Sequence, residues 1–309
     1  MGKLILFYKY VDIEYPHQIM KWQTKLCKDL GLNGRVILAH EGINGILGGE
    51  SSAIDAYESL MNEHELFGNI DFKTTTGAAD YFPRLRVVVK NEIVHLGLDT
   101  QKISAKNGGI HLTPEQTHDL LTHKPENVVL LDARNNYESK IGTFSDAITP
   151  NITNFRDLPS YLDQNAELFK DKNVVMFCTG GIRCERASAY LKQMNVAQNV
   201  YQIEGGIERY VQKFPDGHFR GKNYVFDGRV SVKINNDILS SCELCQKPSD
   251  DYNNCMNARC NKQFIACVPC VTFHKGTCGV VCMDLVDQKK VPLRPPFKKI
   301  DATSSCAIE

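Results

Sequence analysis

Val174-Val175-Met176-Phe177-Cys178-Thr179-Gly180-Gly181-Ile182-Arg183 carries the reading of this chain. Four apolar residues make a short buried strand, and residues 184–194 continue as a helix-like stretch. Between them lies a cysteine in a tight glycine loop. Such a loop at a helix start aims backbone N–H groups at whatever the sulfur carries. The helix start and Arg183 also favour the thiolate, which is the reactive form. Cys178 is therefore the candidate nucleophile or sulfur carrier. Arg183 is its candidate anion partner, and Thr179, Gly180, Gly181 and Ile182 form the loop. The plain alternative, a buried cysteine before a structural Gly-Gly turn, fits the Cys-x-x-Gly-x-Arg spacing less well. Cys184 shares a helix face with Ala187, Leu191 and Met194, so packing is the favoured reading and a second reacting thiol the other.

Outward from this loop, residues 127–131 and 200–203 read as further short apolar strands, one running into Asp132 and the other ending at Gly205-Gly206. Thr113-Pro114 opens a helix as cap and first-turn proline. Short apolar strands alternating with helices predict a parallel sheet covered on both faces, spanning residues 107–215. Its site belongs at the C-terminal strand edge. Asp132 and Arg134 are expected to support the loops there.

The first hundred residues differ. Residues 4–11, 35–39, 45–47, 71–75 and 85–89 read as strands. Residues 16–30 and 51–64 carry helical spacing. The order β-α-β-β-α-β predicts an α+β ferredoxin- or acylphosphatase-like domain over residues 1–101. Asn44-Gly45 reads as its hairpin turn, and residues 102–109 as a linker. Residues 216–309 form a third part: an aromatic and basic segment, a cysteine-rich module and a loose tail.

The chain has 309 residues with 36 Lys+Arg and 36 Asp+Glu, so nucleic acid must be met by local patches. Between residues 206 and 233, Arg209, Lys213, Arg220, Lys222, Arg229 and Lys233 interleave with Tyr210, Phe214, Phe219, Tyr224 and Phe226. Basic residues among aromatics suit a base-stacking groove. Residues 289–299 are also basic, which reads as an ordinary solvated face. The segment His40-Glu41-Gly42-Ile43-Asn44-Gly45 reads equally as a hairpin and as a loop near the cysteine. Candidate RNA contacts are thus His40, Glu41, Asn44, Lys222, Asn223 and Arg229.

No apolar run approaches the roughly 20 residues of a membrane span, and no signal-peptide pattern opens the chain, so a cytoplasmic location is expected. There the 12 cysteines stay reduced. Eight form close pairs: Cys242 with Cys245, Cys255 with Cys260, Cys267 with Cys270, and Cys278 with Cys282. This spacing suits two structural zinc sites with four thiolates each; pairing first with third and second with fourth is one arrangement. His274 lies within the array and reads more readily as a bystander than as a replacement for one of the thiolates. No nucleotide-cofactor motif is present.

Leu131-Asp132-Ala133-Arg134, Tyr137-Glu138, Gly142, the Cys178 loop and Glu204-Gly205-Gly206-Ile207 follow the order of a rhodanese domain. Three longer runs resemble the tRNA uridine-34 hydroxylase family: residues 132–138, residues 178–188 and residues 221–227. Residues 39–45 and the cysteine array resemble it too, so the likeness covers nearly the whole chain. Gly142-Thr143-Phe144 departs from the family, in which many members place histidine in the middle. The resemblance implies dioxygen-dependent hydroxylation of uridine 34 at C5, giving 5-hydroxyuridine. It implies dioxygen as co-substrate, the tRNA anticodon arm as partner and Cys178 as the active cysteine, described for the family as a persulfide intermediate. The loop by itself says only sulfur chemistry. It leaves open a thiosulfate or persulfide sulfurtransferase that passes sulfur from Cys178 to a protein or small-molecule thiol. A non-enzymatic zinc-stabilised RNA-binding scaffold is a third reading, which the intact Cys178 and Arg183 disfavour.

Overall fold

The computed structural model describes residues 2–123 and 125–295. Its N-terminal unit runs β1 (Gly2–Tyr10), α1 (Pro16–Asp29), β2 (Asn33–Ala39), β3 (Gly42–Glu50), α2 (Ser51–Glu63), β4 (Lys73–Gly77) and β5 (Leu85–Val89). The strand order β4-β1-β3-β2-β5 is a ferredoxin-like sheet with β5 added in parallel beside β2. Alternation along the strands sends Ile5, Phe7, Val36, Leu38 and Leu47 into a core that also takes Cys27, Ile54, Tyr57 and Met61 from the two helices. The opposite face carries Leu4, Leu6, Tyr8, Ile37, Asn44 and Ile46, and these line a cleft.

The hairpin turn is not where Asn44-Gly45 suggested. Ala39 pairs with Gly42, so His40-Glu41 makes the turn and Asn44 and Gly45 lie inside β3. Gly45 is there for space: a Cβ on it would sit 2.2 Å from the Phe7 ring. Residues 102–109 are no loose linker either. Ile103 is buried, and its carbonyl accepts a 2.9 Å hydrogen bond from the fully buried Arg186. Arg186 also donates to the Leu98 carbonyl at 2.8 Å and pairs with Glu92, fastening the N-terminal unit to the next.

The second unit comprises β6 (Ile110–Leu112), α3 (Pro114–His123), β7 (Val128–Asp132), α4 (Asn136–Ser139), β8 (Gly142–Phe144), α5 (Leu158–Gln164), β9 (Asn173–Phe177), α6 (Ile182–Met194), β10 (Asn199–Ile203) and α7 (Gly206–Lys213). The strands β6, β10, β9 and β7 form a parallel sheet in that order. One face packs on α5 and α6 through Leu131, Val174, Met176, Leu158, Ala187 and Leu191. The other packs through Val175, Phe177 and Ile203 on Ile207, Tyr210, Phe219 and Leu121. The rhodanese-like α/β layering expected from sequence is present.

The third part follows as β11 (Phe219–Tyr224), β12 (Ser231–Lys233), β13 (Tyr252–Asn254), β14 (Gln263–Ile265), α8 (Val268–Phe273) and α9 (Val280–Asp287). The strand β11 pairs with both β8 and β12, which stitches this part to the rhodanese unit. Tyr210 and Phe219 are core residues around Phe144, and Tyr224 is buried. The aromatics expected to form a stacking groove are therefore mostly packing. Leu293 bridges to Asn257, and Arg294 donates to the Met256 carbonyl, so residues 293–294 are held against the module. Lys298, Lys299 and the rest of the expected tail lie outside the described residues.

Candidate active site

Cys178 leaves the end of β9, and the next residues turn back over its sulfur before α6 begins. The Gly181 amide donates to Cys178 Sγ at 3.2 Å. Gly181 has φ +100°, a left-handed conformation that favours glycine, and a Cβ there would sit 2.8 Å from the Tyr8 hydroxyl. A Cβ on Gly180 would stand 3.0 Å from Leu6 Cδ2. Two glycines thus let the N-terminal sheet press directly on the loop. Tyr8 fixes the contact by donating to Glu185 at 3.0 Å, and Tyr10 by donating to the Ile182 carbonyl at 3.2 Å.

Burial pushes the Cys178 thiol up, yet four interactions outweigh it. The Cys184 thiol hydrogen-bonds to it, Arg183 lies close, and the amides of Arg183 and Gly181 point at the sulfur, bringing its pKa down to about 5. Cys178 is a thiolate at neutral pH. Burial and the neighbouring thiolate hold Cys184 well above the ordinary thiol range, so it stays a donor. Cys184 is both core packing and a partner of the reacting sulfur.

Arg183 does not simply face the cleft. Its guanidinium grips Glu138 of α4 in a bidentate pair at 2.5 and 2.7 Å, and reaches Thr179 Oγ1 at 3.3 Å. Glu138 is completely buried. Its charge makes a cation tolerable beside the positive end of α6. In the sequence Glu138 stands out only as part of the Tyr137-Glu138 motif. The pair is legible only once α4 lies beside the loop.

Asp132 and Arg134 form a fully buried pair at 2.7 Å. Arg134 donates to the Gly142 carbonyl at 2.6 Å, and Thr143 donates to Asp132 at 3.0 Å. These residues tie β7 to β8 below the loop. Thr143, at the position that departs from the family pattern, has this bracing contact.

Above the loop the two units enclose a cleft of ≈ 830 Å³. Its floor is apolar, from Leu4, Leu6, Ile37 and Ile46. Phe82, Tyr137 and Phe226 add aromatic faces, and Cys178, Arg35, Arg84, Arg86, Arg156 and Arg229 line it as well. Glu208 of α7 also faces this space. Burial pushes its carboxyl up to about 7, with Asp227 and the Cys178 thiolate adding to the rise and Lys73 and Arg229 opposing it. Glu208 and the arginines other than Arg229 had no motif to mark them. They meet only because a sheet face is laid over the loop.

Of the six candidate RNA contacts, Asn44 and Arg229 line the cleft. Asn44 also donates to the Ile93 carbonyl at 2.9 Å, and Arg229 is held by Asp227 at 2.7 Å. The other four are placed elsewhere. His40 bonds the Ile13 carbonyl in the turn. Glu41 accepts from the Ile93 amide at 2.8 Å and stands 3.7 Å from Arg186. Lys222 is taken up by Asp250 and Asp251, both at 2.8 Å, and Asn223 is buried.

The eight cysteines of the array gather into two groups, Cys242 with Cys245, Cys267 and Cys270, and Cys255 with Cys260, Cys278 and Cys282. Within each group the four sulfurs lie within 4.8 Å of one another. The sulfur pairs Cys245–Cys267, Cys260–Cys278 and Cys278–Cys282 stand 3.6, 3.7 and 3.9 Å apart. A tetrahedron of thiolates about 2.3 Å from a zinc ion has edges of about 3.8 Å, so the donor sets fit that ion. Asn257 donates to Cys282 Sγ at 3.4 Å, the kind of support a metal thiolate receives. Each group has four thiolates without His274, which is in neither.

A cysteine loop at a strand–helix junction of a parallel sheet, covered by an acylphosphatase-like unit and followed by paired thiolate clusters, defines a three-part rhodanese-type protein. Residues 2–93 match the UPF0176 acylphosphatase like domain, residues 113–213 the Rhodanese-like domain and residues 220–283 the Rhodanase C-terminal family. A relative from Corynebacterium jeikeium, named tRNA uridine(34) hydroxylase, is 38% identical over 286 residues, covering 90% of this chain and 92% of its own. One of the same name from Aster yellows witches'-broom phytoplasma is 39% identical over 285 residues, covering 90% and 91%. Among solved structures, a rhodanese-related protein from Thermoplasma volcanium superposes with a TM-score of 0.27 at 21% identity, over 34% of this chain and 92% of its own. The chain belongs to the tRNA uridine(34) hydroxylase family.

Proposed function

We propose that this chain hydroxylates uridine 34 of tRNA at C5, with Cys178 as the reacting group and dioxygen as co-substrate. The observation that carries this reading is the covered cleft. It sets an apolar, aromatic-edged space of ≈ 830 Å³ directly over a thiolate, within the roughly 300–1,000 Å³ range of small-molecule pockets. A small anionic sulfur donor needs no such floor; a pyrimidine ring does. The target must leave its stack to enter, which costs least in a single-stranded anticodon loop.

Within the site, Cys184 and the loop amides hold the sulfur anionic. Glu138 holds Arg183, and Asp132 with Arg134 holds the strand ends. In the third part, each four-thiolate group binds one zinc ion as a structural centre. Its role is to fold a module too small to rest on its own core.

The test uses cells lacking this protein, complemented with wild type or Cys178→Ser, with nucleosides from their tRNA measured by mass spectrometry. Wild type restores 5-hydroxyuridine and its derivatives, and the serine variant does not. Equal restoration by both would remove Cys178 from the chemistry. No restoration by either, together with thiosulfate turnover by the purified protein, would favour sulfur transfer.

A further inference from the structure

Arg35 and Arg86 are register partners on the adjacent parallel strands β2 and β5. Arg84 lies just before β5, where its carbonyl accepts from the Gly34 amide at 3.1 Å. All three side chains are exposed, and all three line the cleft over Cys178. Among the described residues, no ion pair or hydrogen bond engages their guanidinium groups. Arg156, from the rhodanese unit, lines the same cleft and is exposed and unpaired in the same way.

This arrangement is costly. Like charges side by side on neighbouring strands repel, and among the described residues no carboxylate pairs with them. The two other arginines that line the cleft, Arg183 and Arg229, are each neutralised, by Glu138 and Asp227. Protection of an exposed sheet edge would account for Arg86 on the edge strand β5. It does not account for Arg35, because β2 lies between β3 and β5. A chain with equal numbers of acidic and basic residues has concentrated unpaired cations at one cleft.

We infer that Arg35, Arg84 and Arg86 form a phosphate-binding rail for the RNA backbone beside the nucleotide held over Cys178, with Arg156 meeting the strand from the other unit. The inference rests on the proposed tRNA reading and adds where the strand runs. The guanidinium fork matches phosphate oxygens. Neighbouring arginines on parallel strands stand about 4.8 Å apart in the backbone. Long side chains fan from that spacing to the roughly 6–7 Å between successive phosphates of an open strand, consistent with about 3.4 Å per base when the strand is stacked. Apolar floor and cationic rail divide the work, with the base going to the first and the backbone to the second.

The experiment measures binding of a synthetic anticodon stem-loop RNA, with uridine at the wobble position, across a salt series. Wild type, Arg35→Gln/Arg86→Gln and a control, Lys21→Gln on the helix-covered side of the sheet, are compared. Each lost single-strand phosphate contact reduces the slope of log K against log salt by about 0.7. The double variant is expected to lose about 1.4 from the slope and the control nothing. Melting temperature and the alkylation rate of Cys178 should match wild type, showing an intact fold and loop. Should the double variant misfold, Arg35→Gln and Arg86→Gln singly are each expected to lose about 0.7. An unchanged slope in the folded variant overturns the rail while leaving the hydroxylase reading in place. Failure of wild type to bind the RNA at all would count against that reading itself.

Discussion

A thiol enclosed by protein is ordinarily held protonated, and Cys178 is enclosed. Its pKa nevertheless falls to about 5, because one thiol, two amides and an arginine stand around it. Cys184 is the testable member of that set. A hydrogen bond to a charged group contributes about 1.5–3 kcal/mol, or about 1–2 pKa units. In Cys184→Ala, the pH midpoint for alkylation of Cys178 by iodoacetamide should rise from near 5 by that much. An unmoved midpoint would leave Cys184 as packing only, the reading its helix face first suggested. Glu208 titrates in the opposite sense. Its folded pKa is raised from 4.5 to about 7, so its contribution to stability is full below about 4.5 and is lost as pH rises through 7. Glu208→Gln should therefore gain stability relative to wild type between pH 5 and pH 8, by on the order of 2 kcal/mol after allowance for its partial exposure. Urea denaturation at the two pH values measures the difference, and equal values at both would show an ordinary carboxylate.

At the scale of elements, periodicity made most of the fold legible. Ile19, Trp22 and Leu26 mark α1, and the short apolar runs mark β7, β9 and β10. What failed was punctuation. Asn44-Gly45 has the composition of a turn, but Gly45 is small because Phe7 crosses β3 there. The real turn at His40-Glu41 has no proline or left-handed asparagine to mark it. Residues 102–109 look loose by composition and are held by Arg186, a contact with a helix far along the chain. The site divides likewise. Cys178 to Arg183 is contiguous and was readable, whereas Glu138, Glu208 and the arginine rail exist only through apposition. Glycine substitutions test these two explanations. Gly45→Ala should cost about 1–3 kcal/mol through overpacking against Phe7. Gly181→Ala should cost a similar amount through its positive φ, and should also weaken the seat of Tyr8 on the loop. Thermal denaturation reads both. Near-wild-type stability in Gly181→Ala would show that the N-terminal unit does not rest on the loop as described.

Across the whole molecule, the distant cysteine module has a physical route to the reacting sulfur. Tyr252 donates to the Tyr137 carbonyl in α4 at 2.6 Å, and Tyr252, Tyr224, Ile265 and Ile141 pack as one small core with Tyr137. The next residue of α4 is Glu138, which holds Arg183, and Arg183 helps hold Cys178 as thiolate. Lys222, between Asp250 and Asp251, pins the module to β11 as well. If zinc folds the module, zinc also steadies α4. Gentle purification should yield about two zinc ions per chain, and fewer than one would end the two-site assignment. Chelation should then lower the melting temperature and, at a temperature where the rhodanese unit is still folded, raise the alkylation midpoint of Cys178 as Glu138 loses its fixed position. Cys242→Ser and Cys278→Ser, one for each cluster, should reproduce this separately. Both should act on α4, because β13 and β14, which carry Tyr252 and Ile265 toward it, are each flanked in the chain by a cysteine of either group. Loss of zinc with no change at Cys178 would make the module an independent attachment rather than part of the support for the loop.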